Sequence, residues 1–145
     1  MKTLVLALSA LALASSAAFA DPIADRKALM KERGGAMGQL APMVKGEKPY
    51  DAAAAMAAFE SLHANGEKFD IDALFPAGSD TGDTKALPKI WEDMAGFKAA
   101  EEKFEAAVAA AIAAKPQDVD ALKQVFGPIG ASCGGCHQTY RAPQS

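Results

Sequence analysis

Thiols and imidazoles are scarce in this chain, with two cysteines and two histidines in 145 residues. Cys133, Cys136 and His137 stand together, which leaves only His63, too few donors for a four-ligand zinc site. β-Branched residues are few and no apolar–polar alternation occurs. That removes a sheet, and with it the strand–helix–strand setting of a thioredoxin-like redox pair. No motif brings a nucleophile, a base and an orienting group together as a hydrolytic enzyme requires. Basic charge is not in excess either, 15 Lys and Arg against 18 Asp and Glu, which argues against nucleic acid or anionic lipid as a partner. There is no internal repeat and no low-complexity tract beyond a richness in alanine.

The one long apolar run opens the chain, and it is too short to anchor in a membrane. Lys2 supplies a positive start, Leu4 to Ala14 an apolar stretch, and Ala18-Phe19-Ala20 a small-residue cleavage site. This is the pattern of an export signal, removed before Asp21. Residues 21–145 then form one domain. The signal carries one Lys and no acid, so its loss takes the net charge from −3 to −4. Export places the two thiols in an oxidising compartment, which for a bacterial protein is the periplasm.

Cys133-Gly134-Gly135-Cys136-His137 is the stretch with chemistry in it. Two cysteines three apart with a histidine directly after are the local requirement for covalent haem attachment. On a helix, positions i and i+3 share a face, so both thiols can reach the two vinyl groups along one porphyrin edge. His137 stands at i+4 from Cys133, placed to bind the iron. The two glycines are expected to keep the ring edge free of side-chain bulk. A disulfide between the same thiols would close too short a loop to staple much.

The apolar positions recur at helical spacing in four segments. The first runs from Ile23 to Val44, with Ile23, Met30, Met37, Leu40 and Val44 on one seam. Gly34-Gly35 weaken it, Pro42 is expected to bend it, and Lys45-Gly46 ends it. The second runs from Asp51 to Ala64, closed by Asn65-Gly66. Residues 66–88 read as an irregular crossover rich in turn residues. A loop of this length in a small domain tends to be functional, and it is expected at the rim of a haem pocket. The third runs unbroken from Pro88 to Lys115, with Trp91 as packing. The fourth begins at Asp118 and carries Val119, Leu122, Phe126, Ile129, Cys133, Cys136 and Tyr140 on one stripe, with a kink expected at Pro128. Four such stripes bury one another as an all-α, antiparallel up-down-up-down four-helix bundle with the haem near the C-terminus.

Function then turns on the iron's sixth position. The candidates are His63 and Met30, Met37, Met43, Met56 and Met94. Methionine commonly fills gaps in apolar seams, and His63 reads as a surface residue. Met30 stands out because Arg26 lies one turn before it and Arg33 three residues after, two cations in an apolar seam. A buried arginine needs an anionic partner, and a haem propionate would supply one.

Arg26-Lys27-Ala28-Leu29-Met30-Lys31, Val44-Lys45-Gly46, Pro49-Tyr50-Asp51, Leu74-Phe75-Pro76, Pro88-Lys89-Ile90-Trp91 and the run from Gly130 to Arg141 together resemble the class II cytochromes c. That group contains cytochrome c prime and a low-spin, methionine-ligated subgroup. Cytochrome c prime is itself a reference example of the up-down-up-down bundle, so fold and resemblance are not independent here. The resemblance covers essentially all of residues 21–145. It implies one haem c held by thioethers at Cys133 and Cys136, with His137 as fifth ligand. It further implies Arg26 and Lys27 along the haem on the first helix, Asp83 and Thr84 at the ring edge, and Arg141 beside the proximal imidazole. Met30 falls at the distal position, where the two subgroups divide. A bound Met30 gives a His/Met iron suited to carrying single electrons between periplasmic redox partner proteins. A Met30 that only packs gives an open, five-coordinate site for small gases such as nitric oxide or carbon monoxide. The expectation is an electron carrier rather than an enzyme, with Met30 as ligand and gas binding as the alternative. The alanine-rich faces of the first two helices leave a homodimer open.

Overall fold

The computed structural model describes residues 21–143; the expected signal, residues 1–20, lies outside the described residues. Six helices follow in order: α1 (Pro22–Val44), α2 (Ala52–Glu67), α3 (Ile71–Leu74), α4 (Lys89–Glu92), α5 (Met94–Ala114) and α6 (Val119–Tyr140). The four long ones are the expected bundle, with α1 on α2, α2 on α5, α5 on α6, and α6 back on α1. Each starts at an aspartate. Asp21, Asp51, Asp93 and Asp118 turn their carboxylates onto backbone N–H groups of the first turn, satisfying donors that a helix start leaves unpaired. Pro22 follows the first of these caps, where its missing N–H costs nothing. Gly46 leaves α1 at φ +75°, a left-handed turn that favours glycine.

Three expectations about the helices are corrected. α2 does not close at Asn65-Gly66 but runs to Glu67, because the buried Asn65 side chain bonds outward to α1 and leaves its own helix intact. The third segment is not one helix. It breaks at Asp93 (φ −136°, ψ 55°), whose carboxylate caps Gly96 N–H and accepts from Tyr140 Oη at 3.2 Å. The crossover is not wholly irregular, since Asp70 caps the single turn of α3. α1 and α6 each continue as one helix through their prolines, Pro42 in the last turn of α1 and Pro128 in the first half of α6.

The core has two parts. One fills the bundle with Leu40, Met43, Phe59, Leu62, Phe104, Val108, Leu122 and Ile129. Its fully buried side chains each contribute roughly 1.5–3 kcal/mol of transfer free energy. The other gathers Leu29, Phe69, Leu74, Phe75, Ile90, Phe97 and Tyr140 under the crossover. Cys133 packs against the first cluster and Cys136 against the second. The C-terminal strand of chain is tied to the crossover: Leu87 N–H donates to Tyr140 O at 2.9 Å and Ala142 N–H to Lys85 O at 2.8 Å. No helix among the described residues is long and apolar enough to cross a membrane.

Candidate functional site

Between the two core clusters lies a cavity of about 690 Å³, within the usual range for cofactor sites. Arg26, Lys27, Met30, Asp83, Thr84, Cys133, Cys136, His137 and Arg141, drawn from three separate parts of the sequence, all line it. Its walls are otherwise mainly apolar, with Met37, Phe69, Phe75, Ile90, Phe97 and Phe104. Gly34 also lines it, and a Cβ there would meet nothing within 4 Å. The donor set suits a macrocycle with a metal: two thiols and an imidazole on one helix, aromatic walls, and cations at the rim.

α6 presents the three motif residues half-buried. Burial pushes the Cys133 thiol up, and Cys136 up to about 11, with the field of Glu101 adding at Cys136. Both thiols are therefore protonated at neutral pH and poor metal or disulfide nucleophiles in that state. Burial lowers the His137 pKa, and the fields of Arg141 and Arg33 lower it further. The imidazole is thus kept neutral, the form that ligates metal. Gly134 and Gly135 do not line the cavity. They are exposed, because positions between two inward cysteines fall on the outer face of α6.

The two arginines flanking Met30 are buried, and both find their partners within the protein. Arg26 donates to Leu74 O (3.2 Å), Ser79 Oγ (3.0 Å), Ser79 O (2.7 Å) and Thr84 Oγ1 (2.7 Å). Its guanidinium also lies 4.9 Å from the Phe75 ring centroid. Within the protein the guanidinium is met by neutral oxygens of the crossover and a π face. Burial lowers the Arg26 pKa, and Asp21 acts against that shift. Arg33 does meet an anion, and it is Glu101 of α5, held by both terminal nitrogens. Its Nε donates to Asn65 Oδ1 at 2.6 Å, and the guanidinium sits between the Phe69 and Phe104 rings at 4.3 and 4.4 Å.

At the rim Lys27 Nζ meets the exposed Asp83 carboxylate at 2.6 Å, and that contact holds Asp83 below its ordinary range. His63 is away from the cavity, half-exposed between Glu67 and Glu105. Trp91 is packing: its Nε1 donates to Phe75 O at 3.0 Å and its ring meets the edge of Phe75. Sequence reasoning missed Glu101, Asn65 and Asp93. Glu101 lies 68 residues from Arg33 in the sequence, and no local pattern joins them. The surplus of charge in the α1 seam was the only available sign of it.

A profile of the family described as Cytochrome C′ matches residues 21–141. Cytochrome c-556 of Agrobacterium fabrum is 40% identical over 142 residues, which is 97% of this chain and 95% of that protein. The solved cytochrome c′ from Rhodopseudomonas palustris superposes with a TM-score of 0.80 at 41% identity, covering 87% of this chain and 99% of that one. The nitric oxide complex of a variant of cytochrome c prime from Alcaligenes xylosoxidans superposes at 0.74 with 34% identity, covering 88% and 98%. The Agrobacterium cytochrome c-556 and the Rhodopseudomonas cytochrome c′ are thus about equally similar to this chain, at 40% and 41%.

Proposed function

This chain belongs to the cytochrome c′ family, with haem c as its cofactor, and on that premise we propose that it is a periplasmic carrier of single electrons. In this reading His137 and Met30 would both hold the iron of that haem. Members of the family are electron-transfer or gas-binding haem proteins rather than enzymes. The observation that carries the finer reading is the position of Met30, a thioether of α1 in the wall of the same cavity as the His137 imidazole of α6. Bound there, haem c supplies a one-electron iron couple whose reduced form a His/Met pair favours.

Every other part of the work falls to the protein. Cys133 and Cys136 are the residues for the two thioether links, one from each core cluster. Arg141 and burial together keep His137 neutral and ready to bind. Arg141, with Lys27 paired to Asp83, would supply cations at the cavity wall toward the propionates of a bound haem. Asp83 and Thr84 are held at that edge by Lys27 and Arg26. Arg26 ties the crossover to α1 beside the cavity.

A second reading keeps Met30 as packing only, leaving an open apolar site for nitric oxide or carbon monoxide. The nitric oxide complex of a variant of the Alcaligenes protein favours it. Export by residues 1–20, and a homodimer through the alanine-rich outer faces of α1 and α2, are further parts of the proposal.

The optical spectrum of the exported protein, oxidised and reduced, with and without carbon monoxide, tests the choice. Split low-spin bands, a far-red sulfur-to-iron band and indifference to carbon monoxide are expected. Broad high-spin bands that shift with carbon monoxide would replace the carrier with the gas binder.

A further inference from the structure

Glu105 lies one turn along α5 from Glu101, which lines the cavity, and the electron-transfer reading gives it no part. Its Oε1 is shielded from solvent and has no hydrogen-bond partner. The nearest cation, Arg33, stands 4.0 Å from that oxygen. Arg33 is already committed, with both terminal nitrogens on Glu101 and Nε on Asn65. Two carboxylates therefore share one guanidinium. The other oxygen, Oε2, lies 3.8 Å from His63 Nδ1, and His63 is half-exposed. Gly66 of α2 makes this arrangement possible, because a Cβ there would collide with the Glu105 carboxylate.

The charged groups facing Glu105 are few. α1 brings Arg33, and α2 brings His63 with Glu67 at 4.0 Å from its other ring nitrogen. α5 itself brings Glu101, and α6 adds no charged group to this set. Burial raises the Glu105 pKa and Glu101 raises it further, against the pull of Arg33 and His63. The carboxyl thus titrates above its ordinary range, with one face toward the cavity wall and the other toward a half-exposed imidazole.

We propose that Glu105 is a redox-linked proton site, binding one proton when an electron enters the cavity and releasing it when the electron leaves. This rests on the redox part of the proposed function and holds whether or not Met30 is a ligand. The balance is simple. A reduced donor protein gives up one electron, solvent gives up one proton past His63, and the Glu105 carboxylate becomes a carboxylic acid. The charge of the cavity and its wall is then unchanged by reduction. The coupling is electrostatic: an added negative charge in the cavity strengthens proton binding at Glu105, and protonation in turn ends the competition for Arg33. At an effective dielectric of about 20, an added charge on the order of 10 Å away tightens proton binding roughly tenfold. A tenfold coupling lowers the potential by about 59 mV in all between the low-pH and high-pH limits.

The test uses the haem-loaded protein, as wild type, Glu105→Gln and His63→Gln, with circular dichroism to show that each retains its helices. Reduction potential is measured across pH, and proton uptake on reduction is read with an indicator in weak buffer. The wild-type potential is expected to fall with rising pH in a window above the ordinary carboxylate range. Glu105→Gln should be flat there and take up no proton. His63→Gln should move the window upward, because His63 lowers the Glu105 pKa. An infrared stretch of a protonated carboxyl should grow on reduction and be missing from Glu105→Gln. A pH dependence identical in Glu105→Gln overturns the proposal and assigns the proton elsewhere, such as to a propionate. A wild-type potential flat across the window overturns it too. Failure to find any reversible one-electron couple would instead remove the electron-transfer reading on which the proposal rests.

Discussion

Replacing Arg33 with Met tests whether the wall of the cavity depends on a buried ion pair. Methionine keeps an apolar, flexible chain between the Phe69 and Phe104 rings but removes the charge and every donor. Glu101 then loses both of its guanidinium bonds, Asn65 Oδ1 loses one donor, and Glu105 loses its nearest cation. Arg33 and Glu101 side chains are 9% and 15% exposed, so solvent screening relieves little of this. Removing one partner of a buried pair costs about 3–5 kcal/mol, because the other charge stays behind unpaired. With a urea slope of about 2 kcal/mol per molar, the unfolding midpoint of the haem-loaded variant should fall by about 2 M. The loss should depend on pH. Glu105 already titrates high in the folded protein, so its ionised form opposes folding. That penalty is absent below the unfolded carboxylate pKa, grows as pH rises from there to the folded one, and is complete above it. Without Arg33 it is larger, so the gap between variant and wild type should be widest at neutral pH and narrow as acid neutralises the stranded carboxylates. Adding Glu101→Gln to the variant should recover more than half of the loss. A gap below about 1 kcal/mol, or one that is the same at neutral and acid pH, would show that the pair behaves as a solvated surface contact and refute the reasoning.

Two further substitutions address the cofactor directly. Met30→Ala should leave haem attached but turn a six-coordinate low-spin spectrum into a high-spin one that responds to carbon monoxide; an unchanged spectrum means Met30 is not the ligand. Because Met30 is only half-buried, the stability cost should be about 1–2 kcal/mol, below that of a fully buried methionine, as read by urea unfolding. Cys136→Ser should leave at most one thioether, so that most haem extracts into acidified organic solvent; full retention would undo the assignment of that cysteine.

The bundle was legible because its signals are local. Four apolar stripes at helical spacing, aspartates ahead of three of them and a glycine after the first fix where most helices begin and end. The haem motif was legible for the same reason, being five consecutive residues. What escaped was set by contacts far apart in the chain. Asp93 breaks α4 from α5 while receiving Tyr140 Oη, 47 residues on. Asn65-Gly66 reads locally as a helix stop, but Asn65 spends its amide on Leu29 O and Glu32, and α2 continues. The outward placement of Gly134 and Gly135 was available from helical geometry, since positions between two inward cysteines on one turn must face away.

The arginines carry the most instructive difference between expectation and structure. A charge in an apolar seam demands compensation, and an anionic ligand is one solution among several. For Arg26 the solution is three crossover residues and the face of Phe75. For Arg33 it is a carboxylate, an amide and two rings. Both thus have partners within the protein. Their spacing has a different consequence. Arg26 lies four residues before Met30 and Arg33 three after, so α1 is clamped one turn on either side of the methionine, to the crossover on one side and to α2 and α5 on the other. Met30 is thereby held in the cavity wall before any cofactor is bound. A ligand fixed in advance loses little conformational freedom on binding, and a packing side chain fixed in advance keeps the shape of an apolar site for a small gas. Both readings of the iron use the same clamp, which is why one spectrum, and not the fold, separates them.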